Sequence, residues 1–191
     1  MNKYKRYIPI VAVILVALGV NLDQFGIDLK ALSNGGTAIS SPANSNASSA
    51  HVEPDYAKWS KTTPNINMWH VFAGEINRSG KPVGYHSRPG GKDPAGARLV
   101  SIRDKPNSLG VYTATIEIRD GTQWKNKFSS FFPDSMSRDE VTDAILNAYN
   151  ASRDPEAQPF EGPSGLGFTI QGYTSGRGGI NTAFPVYVRN Q

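Results

Sequence analysis

The stretch Ser137-Arg138-Asp139-Glu140-Val141-Thr142-Asp143-Ala144-Ile145-Leu146-Asn147-Ala148-Tyr149-Asn150 decides the fold class. Ser137 and Glu140 stand at capping-box spacing, in which the serine hydroxyl accepts the Glu140 N–H and the glutamate reaches back to the serine N–H. Val141, Ala144, Ile145, Ala148 and Tyr149 recur at helical intervals and give the segment one apolar stripe. Phe131-Phe132-Pro133-Asp134 fixes its start, because Pro133 disfavours a helix running through it. Away from this helix the period drops to two. Upstream, Tyr112, Ala114, Ile116 and Ile118 alternate with Thr113, Thr115 and Glu117, the pattern of a half-buried strand. Downstream, Gly167 to Tyr173 and Ile180 to Val188 read as two strands, joined by the turn-forming run Ser175-Gly176-Arg177-Gly178-Gly179. One strong helix among strands linked by turns predicts an α+β domain with antiparallel sheets.

That domain occupies only part of the 191 residues. Lys3, Lys5 and Arg6 precede an uncharged apolar run from Tyr7 to Val20, the layout of an export signal. As a helix the run would reach about 21 Å, short of the roughly 30 Å of a bilayer core. Residues 1–22 are therefore expected to be a cleavable signal peptide, with Ala17 and Gly19 before the cut, in preference to a short membrane anchor. From 23 to 64 the sequence reads as a flexible linker. Its centre, Ser33 to Ala50, is nearly all Ser, Asn, Ala, Gly, Thr and Pro and has no charge, too little apolar area to offset the entropy of ordering. The folded domain is expected at 65–191. It holds 14 Lys+Arg against 12 Asp+Glu, so any anion site must come from local placement of cations.

With no cysteine, disulfides, Cys-zinc sites, iron–sulfur clusters and thiol nucleophiles are excluded. A phosphate loop and a Gly-x-Ser-x-Gly elbow are absent as well. The three histidines remain. His51 falls at the linker edge and receives no role. His70 and His86, in Met68-Trp69-His70-Val71-Phe72 and Gly84-Tyr85-His86-Ser87-Arg88, are 16 residues apart with no third ligand at zinc-site spacing. Each alone is an ordinary core or loop histidine. As a pair they suit RNA cleavage by the 2′-hydroxyl, which needs a base for that hydroxyl and an acid for the departing 5′-oxygen. Imidazole serves either role near neutrality.

The ordered pieces His70-Val-Phe-Ala-Gly-Glu75-Ile, Gly84-Tyr-His86-Ser, Gly110-Val-Tyr112, Lys125-x-Lys127, Phe131-Phe-Pro-Asp-Ser135, the helix Glu140 to Tyr149 and the closing Gly179-Ile-x-Thr-Ala-Phe-Pro185 together resemble the bacterial EndoU endoribonucleases. Those enzymes occur among polymorphic and contact-dependent toxins; eukaryotic EndoU and the coronavirus uridylate-specific endoribonuclease are more distant relatives. The resemblance runs from Met68 to about Tyr187. It implies an EndoU-like, ribonuclease A-like (BECR-type) fold with His70 and His86 as base and acid, and cleavage of single-stranded RNA at or near uridine to 2′,3′-cyclic phosphate and 5′-hydroxyl ends. Thr182 and Phe184 map onto the residues that hold the uracil. Where distant relatives carry tyrosine this chain has Phe184, which keeps stacking and loses the phenol hydrogen bond.

The same relatives use a lysine about forty residues after the second histidine. Lys125 lies 39 and Lys127 lies 41 residues after His86, so the sequence leaves both open, beside the plain reading of a solvated strand-end lysine. Arg88 is a candidate phosphate contact, and Glu75 either orients a histidine or is a surface carboxylate. No cofactor is required by the resemblance, although manganese stimulates some relatives. The implied partners are an RNA substrate and a cognate immunity or inhibitor protein, with the N-terminal segment contacting the membrane during export or as an anchor. The nuclease domain is then extracytoplasmic, secreted or tethered. The competing reading is an inactive EndoU-like module that binds RNA or protein.

Overall fold

The computed structural model describes residues 54–190. The expected signal or anchor, the Ser33 to Ala50 linker and His51 lie outside the described residues. Among those described, no helix is long and apolar enough to cross a membrane.

The order is α1 (Met68–Phe72), β1 (Glu75–Ile76), β2 (Pro82–Val83), β3 (Ala97–Asp104), β4 (Tyr112–Asp120), β5 (Gln123–Phe131), α2 (Arg138–Asn150), β6 (Phe160–Pro163), β7 (Thr169–Thr174) and β8 (Ile180–Pro185). These strands form a β1-β2 ribbon and two three-stranded sheets, β3-β4-β5 and β6-β7-β8, all antiparallel within themselves. The α+β class and the antiparallel arrangement expected from the sequence are what the structure has.

Helix α2 begins as the sequence predicts. The Ser137 hydroxyl accepts the Glu140 N–H, and the Glu140 carboxylate accepts the Ser137 N–H. Such a cap is worth about 1 kcal/mol. Its apolar stripe, Val141, Ala144, Ile145 and Ala148, is buried with Phe160, Ile170, Ile180 and Ala183 of the third sheet. Each fully buried Val or Ile contributes roughly 1.5–3 kcal/mol. A second core lies under the β3-β4-β5 sheet, where Tyr112, Ala114, Ile116 and Ile118 of β4 meet Tyr85 and Phe131. The alternation read from β4 thus points its even-numbered residues inward.

The two ends of the domain are joined. Ile66 bridges Ile180 in parallel, the Asn67 N–H donates to the Ile180 carbonyl, and the Asn67 amide donates to Asn181. This closure places α1 beside β8.

The linker boundary at 64 needs correction. Residues 54–64 dock on the domain: Trp59 bridges Asn67, the Met68 N–H donates to the Lys58 carbonyl, and the Trp69 indole donates to the Tyr56 carbonyl. Arg138 of α2 stacks over the Tyr56 ring at 3.9 Å. The composition argument does not extend to Tyr56-Ala57-Lys58-Trp59, whose aromatic rings offset the cost of ordering.

Candidate active site

His70 sits in the single turn of α1, capped by Asn67, whose side chain accepts the His70 backbone N–H. His86 follows a loop that folds back on the same helix. The Tyr85 N–H donates to the His70 carbonyl and the His86 N–H to the Val71 carbonyl, both at 2.7 Å. Gly84 makes this approach feasible. Its φ is +76°, and a Cβ there would stand 2.2 Å from the His70 carbonyl oxygen. Tyr85 is also left-handed, with φ of 63°, a strained conformation for a bulky residue, held by its buried ring. The two imidazoles end 6.4 Å apart between ring centroids, and both are buried.

Each histidine is held through Nδ1. His70 Nδ1 meets the Glu75 carboxylate at 3.2 Å, and Glu75 in turn accepts from Lys58 at 2.8 Å. Burial works against the charge of Glu75, but the bonds from His70 and Lys58 outweigh it and hold the carboxyl below the usual range. The carboxylate therefore keeps the proton on Nδ1 and leaves Nε2 of neutral His70 with a free lone pair. That Nε2 is buried and has no hydrogen-bond partner among the described residues. His86 Nδ1 donates to the Ser130 carbonyl at 3.0 Å and to Ser129 Oγ at 2.9 Å, while Ser129 donates onward to the Tyr85 carbonyl. Both rings thus share one tautomer, with Nε2 left for chemistry.

Burial lowers the His70 pKa below its ordinary 6.5, partly opposed by Glu75. His86 is pushed well below that value, by burial first and then by the charges of Lys127 and His70. The pair's first proton accordingly belongs on His70, beside its carboxylate.

Lys127 and Lys125, equivalent in the sequence, separate here. Lys127 donates to the Gly84 carbonyl at 2.8 Å and to Ser129 Oγ at 3.2 Å, and burial brings its pKa from 10.5 to about 7. Lys125 instead pairs with Asp120 at 2.6 Å and donates to the Gly80 carbonyl. It is two residues further from the histidines along β5 and its charge is already answered.

Thr182 and Phe184 lie on the face of β8 turned away from α2. The Phe184 ring is 5.3 Å from His86, and Thr182 Oγ1 is buried without a partner among the described residues. Arg88 is largely engaged within the protein: its guanidinium bonds Asp93, Asp134, Tyr112 and the Gly91 carbonyl, and so clamps the loop after His86. Asp93 and Asp134 are acids that a chain reading could not place beside it.

Several residues of the site were not singled out from the sequence. Lys58 was assigned to the linker, and Asn67 carried a readable signal as the cap residue three before His70. Ser129 shares a strand face with Lys127 by alternation. Ser87, next to His86, is another buried hydroxyl without a partner among the described residues. No group of three or more His, Asp and Glu side chains converges on a metal position among the described residues.

The arrangement has the components of a general acid–base centre with a nearby cation and an aromatic wall. The family described as bacterial EndoU nuclease matches residues 65–187, which include every element of this site from Asn67 to Phe184. A protein of Bacillus cereus named "Toxin" is 32% identical over 126 residues, a match that takes in 65% of this chain and 23% of that protein. The chain thus spans about a quarter of that relative's length. No solved structure matches. The geometry and the match over residues 65–187 lead to one assignment: the chain belongs to the bacterial EndoU nuclease family.

Proposed function

We propose that this chain is an exported endoribonuclease toxin that cleaves single-stranded RNA at or near uridine. The observation carrying this reading is the buried pair of imidazoles 6.4 Å apart, each fixed through Nδ1 so that Nε2 is left to react. In the proposed reaction, neutral His86 takes the proton of the 2′-hydroxyl at Nε2 as that oxygen attacks phosphorus. The bond from phosphorus to the 5′-oxygen breaks, and protonated His70 gives its Nε2 proton to the leaving oxygen. The products are a 2′,3′-cyclic phosphate and a 5′-hydroxyl end. Glu75 supports the charged form of His70, and the Lys127 ammonium offsets the charge that builds on the phosphorane in a water-poor site. Phe184 supplies a stacking face for the uracil and Thr182 a hydroxyl for its polar edge.

The name of the Bacillus cereus relative supports a toxin role and, with it, a cognate immunity protein for the producing cell. The basic and apolar start of the chain supports export.

The test uses purified protein, a uridine-containing RNA and the same RNA with every 2′-hydroxyl methylated, each with and without EDTA. Cleavage of the first substrate alone, unaffected by EDTA and lost about 10²–10⁴-fold in His70→Ala and His86→Ala, is expected. Cleavage of the methylated RNA would exclude 2′-hydroxyl attack, and loss in EDTA would demand a metal. No cleavage of either RNA would leave a binding module.

A further inference from the structure

We infer that Lys58 is a positioning residue of the site: by taking one oxygen of Glu75 it divides the pull of that carboxylate and makes His70 a readier proton donor. This rests on the endoribonuclease reading, and it adds a residue that stands ahead of residues 65–187, over which the family matches.

The Glu75 carboxylate is shared between two sets of donors. Its Oε2 accepts from the Lys58 ammonium at 2.8 Å, while Oε1 meets His70 Nδ1 at 3.2 Å and accepts from the Asn67 amide at 3.4 Å. With Oε2 taken, His70 is left with one oxygen and part of the charge. Lys58 is itself placed by the helix it serves. Its carbonyl accepts the Met68 N–H at 2.7 Å, its neighbour Trp59 bridges Asn67, and its ammonium lies 5.4 Å from the centre of the Trp69 ring. Met68 and Trp69 directly precede His70 in α1, so the cation is docked on the turn that carries the imidazole.

The charges around His70 set the direction of the effect. Burial lowers the hold of His70 on a proton, Glu75 of β1 raises it, and the ammonium groups of Lys127 on β5 and of Lys58 lower it again. His86 faces it as a second titrating ring, 6.4 Å away between centroids. Beyond Glu75, Arg119 and Asp120 of β4 line the same cleft as Lys58, and Asp120 is answered by Lys125. Lys127 bonds the Gly84 carbonyl and Ser129, whereas Lys58 bonds the carboxylate itself. Without Lys58, the undivided charge of Glu75 falls on His70 and binds its proton more tightly. A general acid that holds its proton more tightly gives it to the departing 5′-oxygen less readily. The Lys58 side chain is 40% exposed, so water and salt limit the size of the effect.

The experiment is an NMR titration of the imidazole rings in the full chain, with the His70 signal assigned by its loss in His70→Gln. Lys58→Met is expected to raise the midpoint read at the His70 ring by about half a pH unit. Lys58→Arg should keep the wild-type midpoint. Lys58→Gln, which keeps a donor for Glu75 without the charge, should give the same rise as methionine and covers the case in which methionine disturbs folding. On a uridine-containing dinucleotide, the descending limb of kcat/KM should move up by the same amount in the neutral variants, with KM unchanged. A His70 midpoint that stays in place or moves down in the neutral variants overturns the inference. An equal rise in Lys58→Arg also overturns it, because the change would then come from repacking and not from lost charge. A raised KM on RNA with an unmoved midpoint would overturn it as well and make Lys58 a phosphate contact. If the wild type cleaves no RNA, the nuclease reading fails while the titration still decides what Lys58 does to His70.

Discussion

Lys127→Met is expected to slow RNA cleavage and to make the protein more stable. The ammonium is half-buried on the inner face of β5, and burial brings its pKa from 10.5 to about 7. At about 1.4 kcal/mol per pH unit, that displacement amounts to roughly 5 kcal/mol. Residual contact with water, together with the bonds to the Gly84 carbonyl and Ser129 that methionine forfeits, reduces the expected net gain to about 1–3 kcal/mol. The sign follows from linkage. Between pH 7 and 10.5 the unfolded chain holds a proton that the folded chain has released, so wild-type stability rises with pH across that window. The cost of the buried charge is complete below pH 7 and gone above 10.5. Urea denaturation at pH 6, 8 and 10.5 should therefore show the variant ahead by the most at pH 6, with the gap closing by 10.5 at equal m values. Removing the cation should also lower kcat by about 10²–10³-fold. A gap that is constant with pH, or a variant less stable than wild type at pH 6, would refute the reasoning.

Because burial lowers both histidines and the pair's first proton belongs on His70, kcat/KM should peak below pH 6.5 and fall as His70 and then Lys127 lose their protons. A pH series on labelled RNA checks this, and an optimum above pH 8 would count against the division of roles. Arg88→Met should lower stability by about 1–2 kcal/mol, since it removes the bonds that tie Asp93, Asp134 and the Gly91 carbonyl across a partly exposed loop; a variant that melts like wild type but binds RNA poorly would make Arg88 a phosphate contact. A fragment beginning at Pro64 lacks Lys58 and the Tyr56 carbonyl that bonds Trp69, so it should melt lower and cleave more slowly than one beginning at Pro54. Equal melting and equal turnover for the two fragments would show that 54–63 is dispensable.

The parts of the fold governed by local rules were readable in the chain. The capping box of α2, the alternation of β4 and the turn between β7 and β8 each follow from a few neighbouring residues, and each lies where the sequence predicts. Docking of 54–64 was not readable, because Lys58 acts through Glu75, and Tyr56 through Trp69 and Arg138, contacts set by tertiary closure. The site divides the same way. The histidine pair was drawn from its acid–base chemistry and Thr182 and Phe184 from the family resemblance; the structure sets the Phe184 ring beside His86. Choosing between Lys125 and Lys127 needed the register of β5, since both residues point to the same face and differ only in what lies opposite. Arg88 looked like a phosphate contact because its two acidic partners come from 5 and 46 residues away along the chain.

The joining of the domain's ends has a consequence for when the site is complete. His70 comes from the first helix and Phe184 from the last strand, and Asn67 with Ile66 ties the two together only after Ile180 and Asn181 have been made and seated. Until β8 has docked, the two histidines are held without Phe184 to wall them in. On the nuclease reading proposed above, competence to cleave then arrives with this closure and not with the pairing of the histidines alone.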